Sequence, residues 1–589
     1  MKRRMHANYP LTARLEPWME ELVTNAKTCR ALVRDHGSPV NVLEPAVLPR
    51  NAAELVAAGD DAGVEVRVFY ARKANKALGF VDAALGAGHG VDVASYRELV
   101  QVLGRGADPR DVIVSAAVKS DELLREAVGA GVTISVDTVG ELARIRRVAK
   151  ARGAAGEVTE GGEVGKGDEV AGGGEVAGGG VARVAPRIAP DPDKLPATRF
   201  GERPGVWVDA LAGEAGHDGL DVVGVHLHLH GYSEADRRIG LADAVGLIDN
   251  LRDAGHNPSF VDLGGGVPMS YLDDAREWAD FRRALERQRE SSELRQREGA
   301  DLQQREGSDL QHVNGGGMQH TGDKAFTWKR DPLVNTYPFH QSPVRGEWLT
   351  QLLSRELPDY GITAEVLRDK GIALHMEPGR SILDGGGVIL AEVAFVKERS
   401  DGLPLVGLAM NRTQCRTTSD DILLDPILVP AGDLNTGGTP EEPGSDDSLS
   451  RINAGLEAFL VGAYCIEDEV IIRRRMVFPD GVVPGDIVAI PNTAGYFMHI
   501  LESASHQIPL ARNLVRVARE GREEPSPQVA QAGVGDEVEG GVPKNEGAPS
   551  SGVGDLDRVG GGASDRGTRE FKGTLEFAVD DIERWSPLH

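Results

Sequence analysis

Eight short apolar runs, each followed by a stretch with helical spacing, limit what this chain can become more than any other feature of its sequence. They are Val64–Tyr70, Gly90–Ala94, Val112–Ser115, Thr133–Val136, Val181–Ile188, Val222–His228, Phe260–Leu263 and Ile372–Met376. β-Branched residues are frequent in them, and segments such as Ser120–Ala130 and Val139–Ala151 carry an apolar stripe at helical period. Strands that alternate with helices pair in parallel, because a parallel neighbour can be reached only by a long crossover. A count of eight favours closure into a (β/α)8 TIM-type barrel over an open doubly wound sheet. The expected fold class is therefore α/β.

After about residue 385 the pattern changes to short apolar runs separated by turn residues: Val388–Val396, Leu405–Ala409, Ile427–Val429, Val470–Met476 and Ile487–Ile490. This predicts an all-β domain, a small barrel or sandwich, following the first. Ahead of the barrel, residues 12–34 have the spacing of one helix, and Ser38–Leu43 reads as a strand. The expected domains are residues 1–47 (helix and strand joining the β-domain), 48–385 (barrel) and 386–520 (β-domain). A low-complexity segment, 521–568, and a tail, 569–589, with a possible extra strand complete the chain.

Within these units lie insertions at 153–180, rich in Gly-Gly-Glu-Val and Ala-Gly-Gly-Gly, at 288–324, with a tandem repeat, and at 432–449. Together with 521–568 they bury too little apolar surface to offset the entropy of ordering, so all four are expected to be solvated and disordered. The net charge of −26 argues against nucleic acid or an anionic membrane as a partner. Cys29, Cys415 and Cys465 form neither a disulfide framework nor a zinc pattern. No run of about 18 apolar residues occurs, and the basic start is followed by no apolar signal region. The expectation is a cytoplasmic protein.

Polar clusters fall where barrel strands end, and all strand C-termini of such a barrel meet at one mouth. Lys73 follows the first strand in Tyr70-Ala71-Arg72-Lys73-Ala74-Asn75, and Asp92 ends the second. His226, His228 and His230 end the sixth, Asp262-Leu263-Gly264-Gly265-Gly266 the seventh, and Glu377-Pro378-Gly379-Arg380 the eighth. Gly462–Cys465 and Ala494–Tyr496 lie in the β region. Three glycines after a strand let backbone N–H groups wrap a phosphate. Alternating histidines on one strand face suit a metal, but Lys73 and Glu377 occupy ends where further ligands would sit, so no metal is assigned.

Taken in order, Tyr-Ala-x-Lys-Ala-Asn, the Gly-x-Gly-x-Asp-Val-Ala-Ser run at Gly88–Ser95, Asp-x-Gly-Gly-Gly, Glu-Pro-Gly-Arg and Gly-x-x-Cys resemble the fold type III pyridoxal-phosphate-dependent decarboxylases. This is the ornithine, diaminopimelate and arginine decarboxylase family, with an alanine racemase-like barrel followed by a β-domain. The likeness runs from about residue 36 to 515 outside the insertions. It implies pyridoxal 5'-phosphate as cofactor, held by Lys73 as a Schiff base, with Asp92 among the cofactor contacts. Glu377 would face the pyridine nitrogen and His228 would stack on the ring. Gly264, Gly265, Gly266, Arg380 and Tyr496 would hold the phosphate. The implied catalytic residues are Lys73, His228 and Cys465, the last reaching the neighbouring subunit's site in a homodimer. The implied reaction is decarboxylation of an amino acid, a small-molecule substrate.

Two departures stand out. The family reads His-x-Gly-Ser after the sixth strand, whereas here His228 is followed by Leu229-His230-Gly231-Tyr232-Ser233. Ser233 could replace that serine only if the loop bulges. The family also places an acid directly after the cysteine to read a distal amine, and here that position is Ile466, with Glu467 and Asp468 beyond it. Ile466, Glu467 and Asp468 are thus the candidate substrate residues. A racemase of this fold, or an inactive regulator built on it, are the alternatives. Racemases resemble one another in pairing the ring nitrogen with arginine, which Glu377 opposes.

Overall fold

In the computed structural model all eight expected barrel strands form, with ends within a few residues of those read from the sequence. In chain order they are Val66–Ala71, Gly90–Val93, Val112–Val114, Thr133–Val136, Ala182–Ile188, a sixth strand in two pieces (Leu220–Val222 and Gly224–Leu227), Phe260–Asp262 and Ala373–Met376. The pairing Leu374↔Val66 joins the eighth strand to the first, and His226↔Arg187 joins the sixth to the fifth, so the parallel sheet closes. The structure describes residues 3–159, 180–305, 325–334, 336–418, 422–431, 453–517 and 576–580. No helix among them is long and apolar enough to cross a membrane.

Alternation along each strand sorts side chains into two faces. On the first strand Val66, Val68 and Tyr70 join the main core beneath the surrounding helices. Between the strands a separate inner cluster of Ala185, Val223 and Phe260, packed on Ala373, fills the middle of the barrel. His375 stacks on Phe260 at 3.9 Å and tilts against Phe69 at 4.9 Å. Above this apolar floor the inward positions become polar: Asp92, Ser115, Ser135, Arg187, His226, Asp262 and Glu377 are all buried. The site is therefore built on rigid strand ends over a packed plug.

The second sheet is organised around the strand Gly387–Glu398, which pairs with Val40–Leu43, Ile487–Pro491 and Pro404–Leu408. Val40–Leu43 also runs parallel to Arg512–Val517, whose other edge takes the tail strand Glu576–Asp580. Four strands of this sheet, Arg3–Arg4, His6–Ala7, Leu456–Val461 and Arg512–Val517, were not expected from the sequence.

Three local readings are corrected. The expected helix over 12–34 is two helices, Pro17–Thr24 and Ala26–His36, because Asn25 leaves helical geometry and its side chain caps the second by accepting from Thr28 N at 3.0 Å. The segment 288–324 is not disordered from its start: the helix Ala275–Arg305 carries through its first part, where Glu, Leu, Arg, Gln and Ala favour helix. Likewise the helix Val139–Thr159 runs past residue 153. The remainder of the four low-complexity segments, apart from Gly180, lies outside the described residues.

Candidate active site

The strand Val66–Ala71 ends in one tight helical turn, Arg72–Ala74, which lifts Lys73 over the barrel mouth. Neighbouring motif residues hold that turn. Tyr70 donates its hydroxyl to Asn75 O at 2.6 Å, and the Asn75 side chain accepts from Ala77 N at 3.0 Å and donates to Ala494 O at 2.9 Å. Arg72, buried, donates to Gln101 Oε1 at 2.7 Å. From the β-domain, Tyr496 N donates to Ala74 O at 2.8 Å. Tyr496 sits at φ +73°, a strained backbone for an aromatic residue that persists only where its surroundings impose it.

Lys73 Nζ donates to Asp92 Oδ2 at 3.0 Å and lies 3.8 Å from Glu377 Oε2, and its side chain stays 34% exposed, so the amine is reachable. Burial works against its charge, but Asp92 and Glu377, with Tyr496, outweigh it and hold the pKa above that of an ordinary lysine. Asp92 takes a second donor from the Ser115 hydroxyl. Glu377 is almost wholly buried and neither of its oxygens has a hydrogen-bond donor. Burial, then Asp92 and Asp262, push its pKa well up. Asp262 Oδ1 accepts from Gly264 N at 2.8 Å while Oδ2 has no donor, and burial raises its pKa to about 7.

His226 is fully buried, with Ser135 Oγ at 2.5 Å and Arg187 Nε at 3.4 Å from Nδ1. Arg187 is itself paired with Asp137 at 3.2 Å. Burial, then Arg187, hold the His226 ring neutral, and burial, then Lys73, bring His228 down to about 3. His228 lies against the glycine turn: a Cβ on Gly264 would meet its Nδ1 at 2.7 Å, and Gly264 and Gly266 both adopt positive φ, +63° and +78°. Only glycine fits that path. Arg380 donates to the Tyr271 hydroxyl at 3.0 Å and lies over the rings of Tyr337, Phe497 and Tyr496 at 4.3, 5.0 and 5.2 Å.

The structure thus brings together Lys73, Asp92, His228, Gly264, Gly265, Gly266 and Glu377, with Arg380 and Tyr496 at the β-domain side. His230 does not join them. The sixth strand ends at Leu227, so the alternation that would have aligned three histidines stops before it, and His230 is exposed. His226, His228 and Glu377 do place three possible ligand atoms within 4.8 Å of one another, alongside the Lys73 ammonium. Ser233 is exposed, and its Oγ caps the helix Glu234–Asp253 by accepting from Asp236 N at 3.1 Å.

Cys465, Ile466, Glu467 and Asp468 lie elsewhere. They occupy the turn between Leu456–Val461 and Val470–Phe478, all exposed, and among the described residues no hydrogen bond or ion pair joins them to Lys73, His228 or Glu377. Strand alternation does not order Ile466, Glu467 and Asp468, because Ile466 N turns back to Tyr464 O at 2.8 Å. Asp468 is already engaged by Lys329 Nζ at 2.7 Å and Trp328 Nε1 at 3.1 Å. Sequence reasoning passed over Ser115, Ser135, Asp137 and Arg187. The signal was there: a polar residue at an inward position close to the C-terminal end of an otherwise apolar barrel strand.

Residues 53–300 match the family model described as pyridoxal-dependent decarboxylase, pyridoxal binding domain. The uncharacterized protein y4yA of Sinorhizobium fredii is 28% identical over 83% of this chain and 90% of that protein. The diaminopimelate decarboxylase of Pseudomonas aeruginosa is 30% identical over 38% of this chain and 51% of its own, so the chain aligns with about half of that enzyme. Among solved structures, diaminopimelate decarboxylase from M. jannaschii in complex with L-lysine superposes with a TM-score of 0.55 at 18% identity, covering 82% of this chain and 88% of that one. The arginine decarboxylase of Paramecium bursaria Chlorella virus bound to agmatine gives 0.52 at 14%, covering 83% and 99%.

The donor set suits pyridoxal phosphate on the structure's own terms. A buried carboxyl with two undonated oxygens fits a protonated ring nitrogen, an accessible amine fits the aldehyde, and a positive-φ glycine turn fits a phosphate. Residues 53–300 thus match a pyridoxal binding domain like that of the pyridoxal-dependent decarboxylases, with pyridoxal 5'-phosphate as the cofactor the site suits, on a fold shared with diaminopimelate and arginine decarboxylases.

Proposed function

We propose that this protein decarboxylates an amino acid, with the cofactor attached through Lys73. The carrying observation is Glu377: a buried carboxyl with no donor of its own, 3.8 Å from the lysine amine. When bound, pyridoxal phosphate supplies an electron sink that lets a bond to the substrate's α-carbon break. Glu377 would face the ring nitrogen and keep it protonated. Asp92 orients the Lys73 amine through the contact at 3.0 Å. His228, uncharged, presents a ring face rather than a competing cation. Arg380 and the Gly264–Gly266 turn bind the phosphate.

Cys465 would hold the proton for the α-carbon, from the second subunit of a homodimer; its exposure on a turn away from Lys73 supports that role. Three free cysteines support a reducing, cytoplasmic setting. Ile466 supports a substrate without a second ammonium at the family's distal position. The test is to incubate the purified protein with a panel of amino acids and measure carbon dioxide release, then reduce it with borohydride and map the labelled peptide. Label on Lys73 with release from at least one amino acid is expected. Label elsewhere overturns the site. Label on Lys73 without release, but with loss of α-carbon chirality, makes the protein a racemase.

A further inference from the structure

The glycine turn after the seventh strand is pinned by a side chain to which nothing above gives a role. Arg237 stands in the first turn of the helix Glu234–Asp253 and is fully buried. Its Nη2 donates to the carbonyls of Gly231 at 2.6 Å, Leu229 at 3.1 Å and Gly265 at 3.4 Å, and its Nη1 to that of His230 at 3.4 Å. A Cβ on Gly266 would fall 1.7 Å from Nη2, so the guanidinium lies directly against that glycine. One side chain thus ties the loop after the sixth strand to the loop after the seventh.

The charge on this side chain needs an explanation. Every acceptor it has among the described residues is a neutral carbonyl, its Nε has none, and no ion pair joins it to a carboxylate. Burial lowers its pKa only to about 10, so it remains a cation at neutral pH. A buried cation without a counter-ion is unfavourable, and a cation in the first turn of a helix also opposes the helix dipole. Both penalties fall on one residue, beside a positive-φ glycine turn of the kind that suits an anion. Ser233, the serine of this loop, is turned to the helix and accepts a capping hydrogen bond there at 3.1 Å.

We infer that Arg237 is the buried counter-charge of the cofactor's phosphate: it fixes the Gly264–Gly266 turn through the carbonyls and supplies the positive charge where no serine follows His228 in the family's place. This rests on the pyridoxal-phosphate site described above.

The test compares binding of pyridoxal phosphate and of pyridoxal, which lacks the phosphate, to the full-length apo chain by absorbance titration. Arg237→Met should weaken pyridoxal phosphate by about 10- to 100-fold, the range of one charge-assisted contact, and leave pyridoxal nearly unchanged. Arg237→Lys should recover part of the loss. Arg237→Gln, which keeps an amide donor for the carbonyls, stands in if the methionine variant does not fold. Added inorganic phosphate should raise the thermal midpoint of the wild-type apo chain and not that of the neutral variants. Equal losses for both ligands, no loss, or failure of both neutral variants to fold at saturating cofactor would each overturn the inference and leave only a structural role. Failure of the wild type to bind either ligand would instead remove the reading on which it rests.

Discussion

His226 Nε2 stands 3.9 Å from Glu377 Oε1, and its other ring nitrogen is already committed. Arg187 Nε can only donate, so Nδ1 accepts, and a neutral ring then carries its proton on Nε2, facing the carboxyl. His226 thereby connects the Arg187–Asp137 pair to the residue proposed to set the cofactor's ring protonation.

His226→Ala would leave the Ser135 hydroxyl and Arg187 Nε without their acceptor. It is expected to lower the stability of the apo chain by about 1–3 kcal/mol in urea unfolding. His226→Asn, which restores an acceptor, should recover part of that. Equal losses in the two variants would show that the ring's packing, not its acceptor, matters.

The raised Asp262 carboxyl gives stability a definite pH dependence. An unfolded aspartate loses its proton near pH 4, whereas folded Asp262 keeps it until about 7. Between these values the folded chain binds more protons, so this contribution, full at low pH, is lost as pH rises. Buried neutral His226, His228 and His375 push the total the other way, so the quantity to read is wild type against Asp262→Asn. In apo protein that difference should shrink steadily from pH 4 to 7. A difference that stays flat would show that folded Asp262 does not keep its proton over this range.

The tail strand should matter more than the long segment before it. Asp580 Oδ2 accepts from Gly79 N at 2.7 Å in the first turn of the helix Leu78–Gly86, which has no side-chain cap of its own. Asp580→Ala should cost about 0.5–2 kcal/mol. Removing 569–589 should cost more, because it also uncovers the strand Arg512–Val517. Deleting 521–568 should leave the thermal midpoint near wild type. Thermal unfolding of the three variants decides, and a larger loss from the internal deletion would reverse the assignment.

If Cys465 serves the neighbouring site, two inactive chains should complement. Mixing Lys73→Ala with Cys465→Ala is expected to restore activity, since one site in each mixed dimer has both groups. No recovery on mixing, under conditions where subunits exchange, would confine Cys465 to its own chain.

The last prediction concerns the distal end of the substrate. A buried second ammonium needs a carboxylate, since leaving it unpaired costs about 3–5 kcal/mol. Ile466 offers none, and Asp468 is held by Lys329 and Trp328. Ornithine and lysine should be poor substrates, and Ile466→Asp should improve them. Efficient wild-type turnover of either would refute this, and its loss in Glu467→Ala would identify the acid responsible.

The sequence by itself determined the barrel and the residues proposed for the cofactor. Strand and helix periods are local, and Lys73, Asp92, Gly264–Gly266 and Glu377 each sit at the end of a run that can be recognised without its neighbours. It did not reveal Ser115, Ser135, Asp137 and Arg187 as one network, because inward-facing polar side chains find their partners only when strands close in register. Nor could spacing show that a two-residue-longer loop would turn Ser233 outward to cap a helix and draw Arg237 beneath the glycines. Nor could it place the tail: Asp580 meets Gly79 across 501 residues of chain. Such contacts come from burial and register among distant segments, and only the tertiary structure decides those.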